Sequence, residues 1–382
     1  MTGHQRTRRD FIKATGAGAV ASAFTSFEVG AQEATEAPPI DPEFFIGADE
    51  LTLRALHGPA RRQLSFANFE GSPDAWRRAC LAKLTELLGF TPPRPGRARR
   101  LRSLEHEGVT IEAWVMQVDE DLSLPAYLLL PKERRDPKRA ILAIHGHGQA
   151  EPCVGGWDEY HHMFALRLAQ DGHLVFCPAH RGFGALNDMA ASDENHWLDY
   201  WRWERGHQFT LTSEAFLYGE TLIGQTIADF RRWEEWLCDH ANVEVLDVAG
   251  ISYGGDLAMT YPIYSPRVRK IYASGTMGSF AAIFARCYNA PEHGIPGILN
   301  WMDRSDIAGL CAPRPIHLHY GELDVPGPKN GSASYNETVE PALLELRRIY
   351  AAFGGDGKVT MHVTPQRWHE IDNDDLRAYL AD

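Results

Sequence analysis

From Gly108 onward, short runs of apolar residues alternate with longer segments of helical periodicity. Runs such as Ala140–His145 and Leu174–Cys177 are continuously apolar, which is typical of strands that are covered on both faces. Short apolar strands that alternate with helices favour a parallel sheet. The sequence therefore predicts an α/β protein, built on a mostly parallel eight-stranded sheet with helices on both faces.

The predicted elements can be placed along the chain. The eight strands are Ile111–Val118, Leu124–Leu130, Ala140–His145, Leu174–Cys177, Val243–Ile251, Val268–Ser274, Ile316–Tyr320 and Val359–Val363. The first two are expected to form an antiparallel edge. The main helices are Ala75–Leu88, Tyr160–Gln170, Thr221–Cys238, Asp256–Tyr264 and Pro341–Phe353. Residues 91–100 are predicted to be a loop rich in proline and arginine. We expect residues 32–104 to form an arm and a helix that pack on a catalytic domain at 105–382.

A G-x-S-x-G motif, Gly250-Ile-Ser-Tyr-Gly254, stands between a predicted buried strand and a predicted helix. A serine on such a sharp turn is held in a strained backbone conformation that exposes its oxygen. The small residues two positions away let the chain fold tightly around it, and the helix N-terminus points at the same place. We therefore predict that Ser252 is a nucleophile, the alternative being a glycine-rich turn with an idle serine.

A nucleophilic serine needs a base, and the base needs a carboxylate that orients it. In chains with this turn, the order is serine, acid, histidine. Asp324 follows the strand Ile316–Tyr320 and is the predicted acid, with Glu322 as its competitor. His369 lies in the loop after the last strand and is the predicted base. The remaining histidines after the serine have the wrong order or lie inside a strand: His293, His317, His319 and His362.

The tetrahedral intermediate also needs hydrogen-bond donors for its oxyanion. One is expected to be the backbone N–H of Tyr253, the residue after the nucleophile. The other is expected from the loop His145-Gly-His-Gly-Gln149, whose glycines let the backbone approach a ligand closely. In that loop the N–H of His147 is the first candidate and the N–H of Gly148 the second.

The same loop has a rival interpretation as part of a metal site. The ligands would be drawn from His145, His147, His161, His162, Asp158 and Asp324. A metal site leaves the serine turn unexplained, whereas the serine set also accounts for the glycines of the loop. We therefore expect a serine mechanism that uses no metal and no other cofactor.

These motifs resemble the α/β-hydrolase superfamily, most of all its dienelactone hydrolase and acetylxylan esterase-like group of exported bacterial esterases. The resemblance covers about residues 105–382. Besides the serine turn, the matching stretches are His145–Gly148, Arg181–Gly184, Gly219–Gly224 followed by Asp229 and Arg231, and Leu310–Pro315. The resemblance implies an α/β-hydrolase fold. It carries the family's roles over to the same triad and oxyanion donors: Ser252, Asp324, His369, His147 and Tyr253.

Several loops are candidates for shaping the substrate pocket. The stretches Arg367–Glu370 and Cys287–Gly294 both depart from the form that is usual in the group. The aromatic rings of Trp197, Trp201 and Trp203 are candidate sugar-binding groups, with a packed aromatic plug as an equal alternative. We expect Arg181 to tie strand-end loops together through bidentate hydrogen bonds rather than to bind substrate.

The N-terminal residues are predicted to be a targeting signal rather than part of the folded domain. Thr7-Arg-Arg-Asp-Phe-Ile-Lys13 is followed by a weakly apolar run, Ala14–Phe24, and by small residues that end at Ala31. This resembles a twin-arginine export signal over residues 1–31, with a disordered basic tail as the alternative. We expect the twin-arginine export machinery to carry the folded protein to the periplasm or beyond.

Charge and cysteine content narrow the possible partners. The net charge of −13 repels phosphate backbones, so a nucleic acid is not an expected partner. The six cysteines contain no C-x-x-C motif, which leaves a thiol redox motif or a clustered zinc site without support. Disulfide pairing and oligomeric state stay open.

Together these features predict an exported serine hydrolase that cleaves carboxylic esters through an acyl-enzyme, with acetylated carbohydrate as a candidate substrate. One alternative is a serine peptidase on the same fold. Against it, the roughly 100 residues before the catalytic domain are too few for the propeller that gates the large prolyl peptidases. The other alternative is a non-catalytic carbohydrate-binding protein that has kept the fold.

Overall fold

The computed structural model describes residues 62–94, 96–118, 122–184, 208–280, 291–324 and 336–381. Contacts divide the chain into two units, Met1–Gly47 and Ala48–Asp382, and every described residue belongs to the second. The predicted export signal and the rings of Trp197, Trp201 and Trp203 lie outside the described residues, so both remain predictions.

Nine described strands form one sheet. They are β1 (Arg97–His106), β2 (Val109–Gln117), β3 (Ser123–Pro131), β4 (Arg139–Ile144), β5 (Leu174–Pro178), β6 (Val245–Ile251), β7 (Val268–Ser274), β8 (Ile316–Gly321) and β9 (Val359–Thr364). Their order across the sheet is β1-β2-β3-β5-β4-β6-β7-β8-β9. The strands from β4 to β9 pair in parallel, and β1, β2 and β3 pair antiparallel with their neighbours. The predicted mostly parallel sheet is confirmed.

The predicted strand count of eight was wrong, because β1 was missed. Its first residues were assigned to the loop 91–100, and the predicted domain boundary after residue 104 falls inside the strand. β1 is an edge strand that is exposed along nearly its whole length. Neither face has to be apolar, so its arginine-rich sequence lacks the alternation that marks a half-buried strand. The division into an arm and a catalytic domain remains a prediction.

The described helices cover both faces of the sheet. They are α1 (Pro73–Leu88), α2 (Phe164–Gln170), α3 (Gln208–Leu217), α4 (Leu222–Ala241), α5 (Tyr253–Tyr264), α6 (Arg304–Gly309), α7 (Asn336–Ala352) and α8 (Asn373–Leu380). One buried cluster joins α1, α4, α5 and α7 to one face, and a second joins α2 and α8 to the other. Alternate residues of β4 serve the two clusters, with Leu142 in the first and Ile141 and Ala143 in the second.

Helix α1 shows how local sequence sets the elements. The Ser72 side chain accepts a hydrogen bond from the backbone N–H of Ala75, and Gly89 ends the helix in the left-handed conformation at φ 61°. Between these caps, Trp76, Cys80, Leu84 and Leu88 are fully buried in the first cluster. The predicted helix is therefore part of the core that supports the sheet.

Five cysteines among the described residues are free thiols, and Cys177 is fully buried in the second cluster as the small core residue that was predicted. Cys287 lies outside the described residues. None of the described helices combines the length and the apolar character needed to cross a membrane.

Candidate active site

The backbone of Ser252 is held in a strained conformation between β6 and α5. Its φ of 58° and ψ of −124° fall in a region that residues with a side chain rarely adopt. Such strain persists where the surrounding structure fixes it, and it is common at functional sites. The structure thus gives the sharp strand-to-helix turn that the G-x-S-x-G motif predicts.

The two glycines of the motif are required by close backbone packing. A Cβ atom on Gly250 would lie 2.1 Å from the carbonyl oxygen of Gly254. A Cβ atom on Gly254 would lie 2.3 Å from the carbonyl oxygens of Ile144 and His145. The turn therefore packs directly against the end of β4, which brings the loop after β4 to the serine.

We expect Gly250→Ala to lower the free energy of unfolding by about 3 kcal/mol, because backbone atoms have to move to admit the methyl group. Denaturant unfolding measures this change. Gly357→Ala is the matched control, since Gly357 has φ 74° but no atom within 4 Å of its Cβ position. Only the cost of the left-handed conformation, about 1 kcal/mol, applies there. Equal losses in the two variants would contradict steric packing as the cause.

The predicted acid and base are in contact. Nδ1 of His369, in the loop after β9, lies 2.8 Å from Oδ2 of Asp324, just past β8. Asp324 is 1% exposed, whereas the competitor Glu322 bonds instead to the backbone N–H of Gln366. A carboxylate that accepts from Nδ1–H leaves Nε2 of the ring with its lone pair, which is the form a general base needs.

The end of β7 connects the serine turn with the histidine ring. The backbone N–H of Ser252 donates to the carbonyl of Ser274 at 2.9 Å. The next residue, Gly275, has φ 59°, and a Cβ atom there would lie 2.7 Å from Cε1 of His369. Glycine at this position leaves room for the imidazole of His369 beside the end of β7.

The loop after β4 closes the site from another side. The backbone N–H of Gly146 donates to Nε2 of His161 at 2.8 Å, and a Cβ atom on Gly146 would lie 3.1 Å from Cβ of Ser252. The hydroxyl of Tyr160 donates to the carbonyl of His147 at 2.5 Å. The segments that carry the predicted oxyanion donors, His147 and Tyr253, are thereby brought together. Their N–H groups remain predicted donors.

The structure adds contacts that the sequence analysis missed. Nδ1 of His147 lies 3.4 Å from Oγ of Ser252, and its Nε2 is hydrogen-bonded to the fully buried Glu292. The neighbouring His293 is also buried, and its Nδ1 is hydrogen-bonded to the carboxylate of Asp256. Glu292 and His293, consecutive in a Pro/Gly-rich stretch, were the sequence feature that could have indicated these contacts. Only His293 was considered in the sequence analysis, as a possible base.

Two candidate ligands of the alternative metal site, His145 and His162, contact residues outside that set. The ring of His145 stacks on His180 with centroids 3.6 Å apart, and Nε2 of His162 lies 2.7 Å from Oε2 of Glu370. A different group could hold a cation, since the possible ligand atoms of His147, Glu292 and His293 lie within 4.8 Å of one another. Imidazole nitrogen and carboxylate oxygen are ligands that zinc accepts.

Arg181, in the turn after β5, makes a bidentate contact as expected, but its partner lies in a helix rather than in a second strand-end loop. Its Nε lies 2.7 Å from Oδ2 of Asp229 and its Nη2 lies 3.0 Å from Oδ1. This bidentate pair joins the turn to α4.

Several buried histidines are neutral in the folded protein. Burial lowers the pKa of His180 to about 3, and it lowers the pKa values of His173 and His319 to about 4. In the unfolded chain a histidine titrates near pH 6.5. Between these values the unfolded state binds more protons than the folded state.

We therefore expect the free energy of unfolding to fall as the pH drops from about 6.5 to about 4, by about 3 kcal/mol for each of His180 and His319 and by less for the less deeply buried His173. Above pH 6.5 these histidines are unprotonated in both the folded and the unfolded state, so the protein has its full stability there. Below that pH the unfolded state takes up protons first, and stability is lost. Urea unfolding at a series of pH values measures it. A midpoint that does not change between pH 7 and pH 5 would contradict the prediction.

Comparisons with known proteins were made for the whole chain, and no protein-family model matches it. Among curated proteins, "Putative hydrolase YtaP" of Bacillus subtilis (strain 168) is 25% identical over 285 residues, which is 71% of this chain and 87% of that protein.

Solved structures superpose on a larger part of this chain. A "putative acetyl xylan esterase" from Bacteroides fragilis NCTC 9343 superposes with a TM-score of 0.65 and 17% identity, over 84% of this chain and 82% of that chain. A glucuronoyl esterase from Solibacter usitatus superposes with a TM-score of 0.57 and 12% identity, over 84% and 96%. At these identities the likeness establishes a shared fold.

Proposed function

We propose that the protein, which has the α/β-hydrolase fold, is a serine hydrolase of carboxylic esters. The observation that carries the proposal is the strained turn at Ser252, which lies at the same end of the sheet as the hydrogen-bonded pair of His369 and Asp324. A serine on this turn with such a pair nearby is the arrangement that activates a hydroxyl for acyl transfer.

In the proposed mechanism, Oγ of Ser252 attacks the ester carbonyl while Nε2 of His369 accepts the hydroxyl proton. Asp324 keeps the imidazole in the correct tautomer and stabilises its protonated form. The backbone N–H groups of His147 and Tyr253 hold the oxyanion. His369 then protonates the leaving alcohol. A water molecule, deprotonated by the same imidazole, attacks the acyl-enzyme and releases the acid and Ser252.

Acylated carbohydrate is the substrate class that we infer. The solved structures with the same fold include proteins named acetyl xylan esterase and glucuronoyl esterase, which are esterases of carbohydrate substrates by name. The expected export of the chain would bring it to extracellular polysaccharide. The three tryptophans at 197, 201 and 203 are the proposed sugar-binding rings.

Covalent labelling tests the serine mechanism. The protein is incubated with a fluorophosphonate, digested and analysed by mass spectrometry, while hydrolysis of p-nitrophenyl acetate is followed in parallel. We expect the label on the peptide that contains Ser252, with activity lost in proportion to labelling and unaffected by a chelator. Activity that survives full labelling but disappears with a chelator would contradict the proposal.

A panel of substrates tests the substrate class. Acetylated xylo-oligosaccharides, simple p-nitrophenyl esters and peptide p-nitroanilides are compared by kcat/KM. We expect the acetylated sugars to be the best substrates. Turnover of simple esters without any release of acetate from the sugars would refute the carbohydrate assignment. Turnover of the peptides, or sugar binding without any ester hydrolysis, would favour the peptidase and the carbohydrate-binding protein, respectively.

A further inference from the structure

One tyrosine touches both halves of the proposed mechanism. Tyr160 precedes α2, and its hydroxyl donates to the carbonyl of His147 in the oxyanion loop, residues 145–149, which carries a predicted oxyanion donor. Its backbone carbonyl accepts the N–H of Ile371 at 2.9 Å, and its ring lies 5.9 Å from the ring of His369, with 28° between the ring planes. Tyr160 therefore connects the oxyanion loop to the loop of the proposed base.

The hydroxyl of Tyr160 lies directly against the backbone of the oxyanion loop. A Cβ atom on Gly146 would lie 2.4 Å from that oxygen. A phenol has one proton to donate, and here it is donated to the carbonyl of His147 at 2.5 Å. Because a peptide group is planar, this hydrogen bond also fixes the N–H of Gly148, which is the second candidate for an oxyanion donor.

The residue after Tyr160 holds the other side of the same loop. Nε2 of the buried His161 accepts a hydrogen bond from the backbone N–H of Gly146 at 2.8 Å. This bond fixes the peptide before the one that carries the N–H of His147, and the hydroxyl of Tyr160 fixes the peptide after it. In the peptide between them, the carbonyl oxygen of Gly146 lies 2.9 Å from Nδ1 of His145. Side chains therefore hold three successive peptides around the first candidate donor.

We propose that Tyr160 is a positioning residue of the oxyanion hole, whose hydroxyl holds the donors of the loop in place. Oxyanion donors are effective because they are fixed before the negative charge develops. Gly146 lies against the nucleophile, since a Cβ atom there would be 3.1 Å from Cβ of Ser252, so a shift of the loop also shifts the donors relative to the reacting carbon. Tyr160 exchanges no proton with the substrate. The inference rests on the proposed serine mechanism and adds to it.

The experiment compares the full chain with a small set of variants. Tyr160→Phe removes the hydroxyl and keeps the ring and the backbone contacts. Tyr272→Phe is the matched control, because the hydroxyl of Tyr272 donates to the carboxylate of Asp375 at 2.9 Å and neither residue takes part in the proposed mechanism. His161→Leu removes the other anchor of the loop, and a double variant combines Tyr160→Phe with His161→Leu.

The measured quantities are kcat and KM for p-nitrophenyl acetate, the pH dependence of kcat/KM, the thermal midpoint and the Ki of a phenylboronic acid that forms a tetrahedral adduct with the serine. In Tyr160→Phe we expect kcat to fall about 10-fold, which is less than the loss of a whole donor would cause, with a parallel loss of boronic acid affinity. KM and the apparent pKa of kcat/KM should not change, because His369 and Asp324 keep their contact. The control should stay within about twofold of the unmodified protein.

The double variant separates an action through the loop from a direct contact with the substrate. If the hydroxyl of Tyr160 holds the loop, His161→Leu alone already frees the same loop. We then expect the double variant to lose less activity than the product of the two single losses. Losses that multiply would show that the hydroxyl bonds to the oxyanion itself, and they would overturn the positioning role.

A Tyr160→Phe variant whose kcat and boronic acid affinity stay within about twofold of the unmodified protein would also overturn the inference. So would a loss that consists only of a higher KM, because the hydroxyl would then act in ground-state binding of the substrate. Ser252→Ala is measured beside these variants. If Ser252→Ala keeps full activity, the serine mechanism fails and this inference falls with it. If Ser252→Ala is inactive and Tyr160→Phe is unaffected, the inference alone is refuted.

Discussion

Ser252→Ala is expected to lower kcat for p-nitrophenyl acetate by about 10⁴-fold or more, because no acyl-enzyme can form without the nucleophile. The thermal midpoint should not fall, since the substitution removes one oxygen from a strained turn and leaves its backbone contacts in place. Steady-state kinetics and the absence of a burst of p-nitrophenol measure the effect.

The matched control for the nucleophile is Ser305→Ala. Ser305 is a buried serine in α6 whose hydroxyl donates to Glu345 at 2.7 Å. Its substitution should leave kcat within about twofold while costing about 1 kcal/mol of stability. If Ser252→Ala retained more than about one tenth of the activity, Ser252 could not be the nucleophile.

Asp324→Asn is expected to lower kcat by roughly 10⁴-fold with little effect on KM. The amide nitrogen of asparagine can donate to Nδ1 of His369 where the carboxylate accepts from it. The ring then carries its proton on Nε2 and cannot accept the proton of Ser252. Kinetics across pH 5–9 measure the loss.

Glu322→Gln is the control for the acid, because Glu322 was its competitor in the sequence. Glu322 bonds to the backbone N–H and the side chain of Gln366 at 2.9 and 3.1 Å, on the exposed side of the loop. We expect this substitution to change kcat by less than about threefold. A larger loss in Glu322→Gln than in Asp324→Asn would show that the acid was wrongly assigned.

The sequence predicts best those strands that are covered on both faces. The strand Val268–Ser274 was predicted to the residue, and its last four residues are all buried, whereas Arg269 and Lys270 are half-buried. The edge strand Arg97–His106 was not predicted. It is exposed, so neither of its faces needs apolar residues and its sequence shows no alternation. The resemblance to the α/β-hydrolase superfamily that the motifs indicate is confirmed at the level of the fold.

The residues of the candidate site also differ in how well the sequence predicts them. Ser252 follows from a local motif, and Asp324 and His369 follow from their order and from their positions after strands. The contact of the last two is observed, and their catalytic roles remain proposals. The pair of His147 and Glu292 was not predicted, because its members are far apart in the chain and Glu292 lies in a 3-10 helix of only three residues, Pro291–His293, which is too short to show periodicity.

Gly275 has a consequence for how other chains of this shape can be interpreted. It is a position where adding a single methyl group would displace the ring of His369, yet the residue belongs to none of the motifs that identify the fold. A homologous protein with alanine at position 275 could keep the sheet, the serine turn and the acid, and still lack activity. The proposed mechanism therefore depends on the glycine at position 275 as well as on the side chains of Ser252, Asp324 and His369.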